Sequence, residues 1–147
     1  MILSVAILTL VGSMIINPAK SYRAESPLGA VTVQVLNGCG IRGAAESLAD
    51  ALLPGDVSLL YDVIEKGDAK LGAFDRTVVV DRRGSKVTAG QLSEQALRVA
   101  ERLGVDTDDI ILLRLDDNIL DIDVTIIAGS DYIGYVRRLK RAKEGPL

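Results

Sequence analysis

Residues 31–52, VTVQVLNGCGIRGAAESLADAL, constrain the fold more than any other stretch, because an alternating apolar segment runs through a glycine-rich turn into an amphipathic one. Val31, Val33 and Val35 alternate with Thr32 and Gln34, the period of a half-buried strand. Ile41, Ala44, Ala45, Leu48, Ala49 and Leu52 then recur at helical spacing, which predicts a helix with one apolar face and with Arg42, Glu46, Ser47 and Asp50 turned to solvent. Pro54-Gly55-Asp56 should end that helix, and Val57, Leu59, Tyr61 and Val63 alternate again as a second strand. A strand, a helix and a strand in this order form a crossover unit, expected to be right-handed with parallel strands.

The remainder extends the same scheme. Glu65 to Asp75 is polar and reads as a loop, and Thr77 to Asp81 is a short apolar run that fits an interior strand. Thr88 with Gln91 three residues on has the form of a capping box, and Leu92, Ala96, Val99, Ala100 and Leu103 give the buried stripe of a second helix stopped by Gly104. Ile110 to Leu115 and Val124 to Ala128 supply the last strands. The predicted class is α/β, a two-layer sandwich of a mixed sheet in the order βαββαββ with two helices packed on it.

Met1 to Ile16 is apolar and free of charge until Asn17-Pro18. At about 1.5 Å per residue it falls short of a hydrocarbon core of about 30 Å, between a signal-peptide core and a short span. With no basic residues before it and no small-residue cleavage site after it, residues 1–17 are expected to be a retained membrane anchor rather than a cleaved signal. Residues 18–29 read as a polar linker, 30–132 as the folded domain and 133–147 as a basic tail. In that tail Arg137, Arg138, Lys140 and Arg141 are candidate contacts for a membrane or polyanion, beside Ile133, Val136 and Leu139 at the spacing of a short helix. A frayed soluble terminus is the competing reading.

Composition removes several functions. Phe74, four tyrosines and no tryptophan offer no platform for stacking bases, and a net charge of −3 with interspersed signs gives the body no phosphate-tracking surface, so no nucleic-acid partner is expected. There is no histidine, which takes away the commonest general base and the commonest transition-metal ligand. Cys39 has no second cysteine to pair with and reads as a small thiol tucked under the turn. Asp106, Asp108, Asp109, Asp116, Asp117, Asp121 and Asp123 crowd one region without the spacing of a calcium loop, so neither a metal nor a cofactor is expected and the acids read as solvated loops.

Gly38, Gly40 and Gly43 match GxGxxG between a strand and a helix, the context in which that motif cradles pyrophosphate, and Asp62 lies near where an acid would hold the ribose. Against this, too few helices and strands follow for a doubly wound sheet, and Leu36 and Asn37 lengthen the turn.

Four blocks in order, VQVLNGCGIRGAAESLADAL, DRTVVVDRRG, ALRVAERLGV and LDIDVTIIAGSDY, resemble the LytR/CpsA/Psr-associated C-terminal domain over about Val31 to Tyr132. Matching positions include Asn37, Gly38, Gly40 and Gly43, then Thr77, Val78 and Asp81, then Ala100, Leu103 and Gly104, then Asp123, Val124, Thr125, Gly129 and Asp131. Ser130 stands where a lysine is common and Ala128 where a larger apolar residue is usual. The resemblance implies a non-enzymatic cell-envelope domain behind a single membrane segment, placed outside the cytoplasmic membrane, with peptidoglycan or an envelope protein as partner. Lys20 and Arg23 beside the anchor would point the other way, and the expectation follows the family. Asn37, Gly38, Gly40 and Gly43 are the candidate ligand-binding residues. A nucleotide-binding module using the glycines and Asp62, and a structural oligomerisation domain, are the alternatives, and the oligomeric state stays open.

Overall fold

A computed structural model describes residues 29–53, 61–70, 72–85 and 90–145. The expected anchor, the linker through residue 28, the Pro54 turn, Val57, Leu59 and the Thr88 capping position lie outside the described residues. The elements are β1 (Val31–Asn37), α1 (Ala44–Leu52), β2 (Tyr61–Asp68), β3 (Val78–Asp81), α2 (Glu94–Leu103), a 3-10 turn at Thr107–Asp109, β4 (Ile110–Leu112), β5 (Val124–Ala128) and α3 (Tyr132–Glu144). The expected α/β class with a mixed sheet holds, and a third helix joins the two expected ones at the C-terminal end.

The five strands form one sheet in the order β2-β1-β5-β3-β4. β1 is parallel to β2 and to β5, β3 is parallel to β4, and β3 runs antiparallel to β5. The crossovers β1-α1-β2 and β3-α2-β4 therefore start from antiparallel strands and step outward in opposite directions. Right-handed crossovers with those two properties place both helices on the same face of the sheet. One shared core confirms the layering: Val33 and Val35 of β1, Val124 and Ile126 of β5 and Val79 of β3 meet Leu48 and Leu52 of α1, Val99 and Leu103 of α2, and Val136 and Leu139 of α3. Each such side chain, fully buried, contributes roughly 1.5–3 kcal/mol.

Three sequence expectations shift for physical reasons. Ile41, expected on the buried helix face, is 45% exposed, because Gly43 takes a left-handed conformation and the helix starts only at Ala44. The polar stretch from Glu65 continues β2 to Asp68, an edge strand whose outer side has no neighbour among the described strands and so tolerates charge. Helix α2 is capped by Ser93, whose Oγ accepts from the Ala96 N–H at 3.1 Å, so Leu92 lies ahead of the helix, half-buried. Gly104, left-handed at φ 74, stops α2 where expected.

Residues expected to form a tail instead make α3, with Tyr132, Val136 and Leu139 buried and Ile133 41% exposed. Both α1 and α3 leave the same end of the sheet, after parallel strands, and pack along each other. Both therefore run back toward the end at which the chain enters β1.

Candidate functional site

The GxGxxG segment lies at the C-terminal ends of β1 and β2, where Asn37 pairs with Asp68. The Ala69 N–H donates to Asn37 O at 2.9 Å, the Gly38 N–H donates to Ala128 O at 2.9 Å, and the Phe74 N–H donates to Gly38 O at 2.8 Å. These bonds fix the floor of a cleft of about 530 Å³, within the size range of small-molecule sites. Its walls are the turn, the first residues of α1 and the end of β2.

The turn has little slack. A Cβ on Gly38 would stand 2.6 Å from Ile127 Cγ2 and 2.7 Å from Phe74 Cδ2. Gly40 and Gly43 have φ of 73° and 80°, which L side chains adopt at a cost of about 1 kcal/mol or more. Asn37 works inward: its Nδ2 donates to Ile41 O at 3.0 Å, and its Oδ1 accepts from the N–H groups of Cys39 and Gly40 at 3.2 and 3.1 Å. The amide thus serves as the staple of the turn. Cys39 is half-buried, packs against the core and sets its Sγ 3.4 Å from the same oxygen.

All four sequence candidates, Asn37, Gly38, Gly40 and Gly43, line the cleft. The side chains positioned to meet a ligand are ones that sequence reasoning did not single out: Arg42 in the turn, Glu46 in the first turn of α1, and Asp68 at the tip of β2. The polar residues Arg42 and Glu46, set among the apolar positions of this segment, were the available signal, whereas Asp68 was hidden in a segment read as a loop. No side chain caps α1. Asp62 is not part of this site, since it pairs with Thr32 at the other end of β1, six strand residues or about 20 Å away. Two carboxylates face the cleft beside one guanidinium, and no aromatic ring lines it. That chemistry disfavours a pyrophosphate and an adenine ring, so the nucleotide reading finds no support in the geometry.

The other carboxylates of the signature blocks hold the framework. Buried Asp81 accepts from the N–H groups of Arg83, Gly84 and Ser93 at 2.9, 3.0 and 2.6 Å and from Ser93 Oγ at 2.8 Å, tying the end of β3 to the start of α2. Asp123 accepts from the Thr32 N–H at 2.9 Å and from Arg83 Nε at 2.7 Å, and Arg83 also pairs with Asp121. Burial lowers the Arg83 pKa, but the hydrogen bonds it donates to Asp123 and Asp121, with the attraction of those two charges, outweigh it, so the net shift is upward. Asp131 accepts from the N–H and the hydroxyl of Thr77, both at 2.7 Å, and pins the β5–α3 turn to the start of β3. In the acidic loop, Asn118 donates to Ile122 O at 2.7 Å and accepts from its N–H at 2.8 Å, while Asp109 pairs with Arg76. Among the described residues no group of three or more acids and thiols is arranged to hold a metal ion.

Of the basic candidates, Arg138 reaches back to the end of α2, donating to Gly104 O at 3.2 Å and Leu103 O at 3.4 Å. Arg137, Lys140 and Arg141 are exposed on α3. Among the described residues no helix is long and apolar enough to cross a membrane.

No curated protein and no solved structure matches the chain. A family model described as LytR cell envelope-related transcriptional attenuator matches residues 30–132, and it covers the strand–turn–helix, the cleft and every signature carboxylate above. The chain belongs to this LytR C-terminal family of cell-envelope-related domains.

Proposed function

We propose that the chain is a non-enzymatic envelope domain, held at the membrane by residues 1–17 with its folded part outside, that binds a wall glycan or a protein partner in the cleft at the ends of β1 and β2. One observation carries this reading: the cleft lies where the parallel strands end, with Arg42, Glu46 and Asp68 around uncapped backbone, while Asn37, Asp81, Asp123 and Asp131 are engaged in holding the fold. Mixed charges with no nucleophile–base pair suit hydrogen bonding to hydroxyl- and amide-rich ligands.

Sedimentation of the purified chain with purified peptidoglycan tests the proposal. Retention that falls when Arg42→Glu or Asp68→Lys is introduced supports it, and both sites are exposed, so the core should be unaffected. No retention on peptidoglycan or on membrane extract counts against it. Calorimetry with NAD and ATP should show no heat.

A further inference from the structure

The solvent face of α3 carries a second, independent surface. Ile133, Arg137, Lys140 and Arg141 recur at i, i+4, i+7 and i+8 and so share one side of the helix, while Tyr132, Val136 and Leu139 hold another side in the core. The helix contains five basic residues against one acid in a chain whose net charge is −3. Arg138 is occupied at the end of α2, but Arg137, Lys140, Arg141 and Lys143 form no ion pair with another described residue. Charge is therefore concentrated on a rigid helix of about 20 Å rather than on a loose tail.

We propose that this face docks on an anionic lipid bilayer, with Arg137, Lys140 and Arg141 meeting headgroup phosphates and Ile133 entering the acyl boundary beside them. Two observations choose a bilayer over a soluble polyanion. A polyanion needs only the cations, whereas a 41% exposed isoleucine in line with them matches the amphipathic face of an interfacial helix. The basic end of α3 also returns to the end of the sheet at which the chain enters β1, behind the apolar run Met1 to Ile16. The inference uses the anchor only to place the surface and does not depend on what the cleft binds.

The chain contains no tryptophan, so Ile133→Trp gives a single reporter on the docking face. The full chain carrying it is placed in nanodiscs of zwitterionic lipid or of mixed zwitterionic and anionic lipid, with brominated acyl chains as quencher. Leu97→Trp, exposed on α2, measures background. Quenching above background in anionic discs only, weakened by salt and abolished by Arg137→Glu, Lys140→Glu and Arg141→Glu together, is expected. Each lost cation should lower the docking equilibrium about fivefold. Equal quenching in both discs, survival of quenching in the triple variant, or an emission shift produced by soluble anionic wall polymer without lipid quenching would overturn the proposal. Co-elution with neutral discs reports the anchor separately, since a chain that lacks it still reports docking when mixed with anionic discs.

Discussion

Replacing Asp81 by alanine removes the link between β3 and α2. The carboxylate is fully buried and accepts four hydrogen bonds, from the N–H groups of Arg83, Gly84 and Ser93 and from Ser93 Oγ. Water can re-satisfy the part-buried donors, but the Gly84 N–H is buried, and an unmet buried donor costs about 1–3 kcal/mol. Ser93 is also the N-cap of α2, and losing its orientation costs about 1 kcal/mol more. The expected loss is about 3 kcal/mol, which at a urea dependence of about 1.5 kcal/mol per M moves the midpoint down by about 2 M. Asp81→Asn keeps the shape but turns an amide N–H toward the Ser93 N–H, and should fall between alanine and wild type. Urea unfolding followed by far-UV circular dichroism, with exposed Asp117→Ala as the control within about 0.5 kcal/mol of wild type, measures this. If Asp81→Ala unfolds with the control, the structural role of this carboxylate is wrong.

Gly43→Ala should lower stability by about 1–2 kcal/mol through its positive φ, with no steric contact to relieve, whereas Gly38→Ala should lower it by about 1–3 kcal/mol through contact with Ile127 and Phe74. Thermal melts of both variants check this, and Phe74→Ala should restore part of the second loss but none of the first. Burial raises the Tyr61 pKa above its ordinary 10.0, against a smaller opposing effect of Arg102 and Arg98. The unfolded chain then loses this proton at lower pH than the folded one, so the contribution to stability is whole below pH 10.0 and declines as pH rises toward the folded value. Tyr61→Phe should flatten that alkaline decline, read by denaturation at a series of pH values. Arg138→Ala should cost about 0.5–1 kcal/mol by freeing the last carbonyls of α2, and amide exchange in Leu103 to Val105 should quicken first.

The sequence made the interior elements legible because burial on one face writes a strict period. Val31, Val33 and Val35 of β1, Val124 to Ala128 of β5 and the stripe Ala96, Val99, Ala100 and Leu103 of α2 all stand where their spacing put them. β2 was harder to read because an edge strand has only one ladder partner, and a register shift between Val33 and Gln34 breaks its match to β1. The start of α1 was misplaced because the helical spacing extends through Ile41 while the backbone at Gly43 does not. For α3, basic residues outnumber the buried ones, and the packing of Tyr132, Val136 and Leu139, with half-buried Tyr135 against the same core, separates a packed helix from a solvated tail. The cleft was half legible. Its glycines are a local motif, but Asp68 joins them through strand pairing across thirty residues of chain, a contact that no local pattern records.

Binding of the purified chain to peptidoglycan, measured with the charges of the cleft reversed, decides whether the ends of β1 and β2 form a ligand site. Arg42→Glu with Asp68→Lys leaves Asn37, the glycines and the core in place while changing what a ligand meets. The wild-type chain should sediment with peptidoglycan, and the double variant, folded to the same circular dichroism spectrum, should not. Equal retention of the two would contradict a binding site at the ends of β1 and β2.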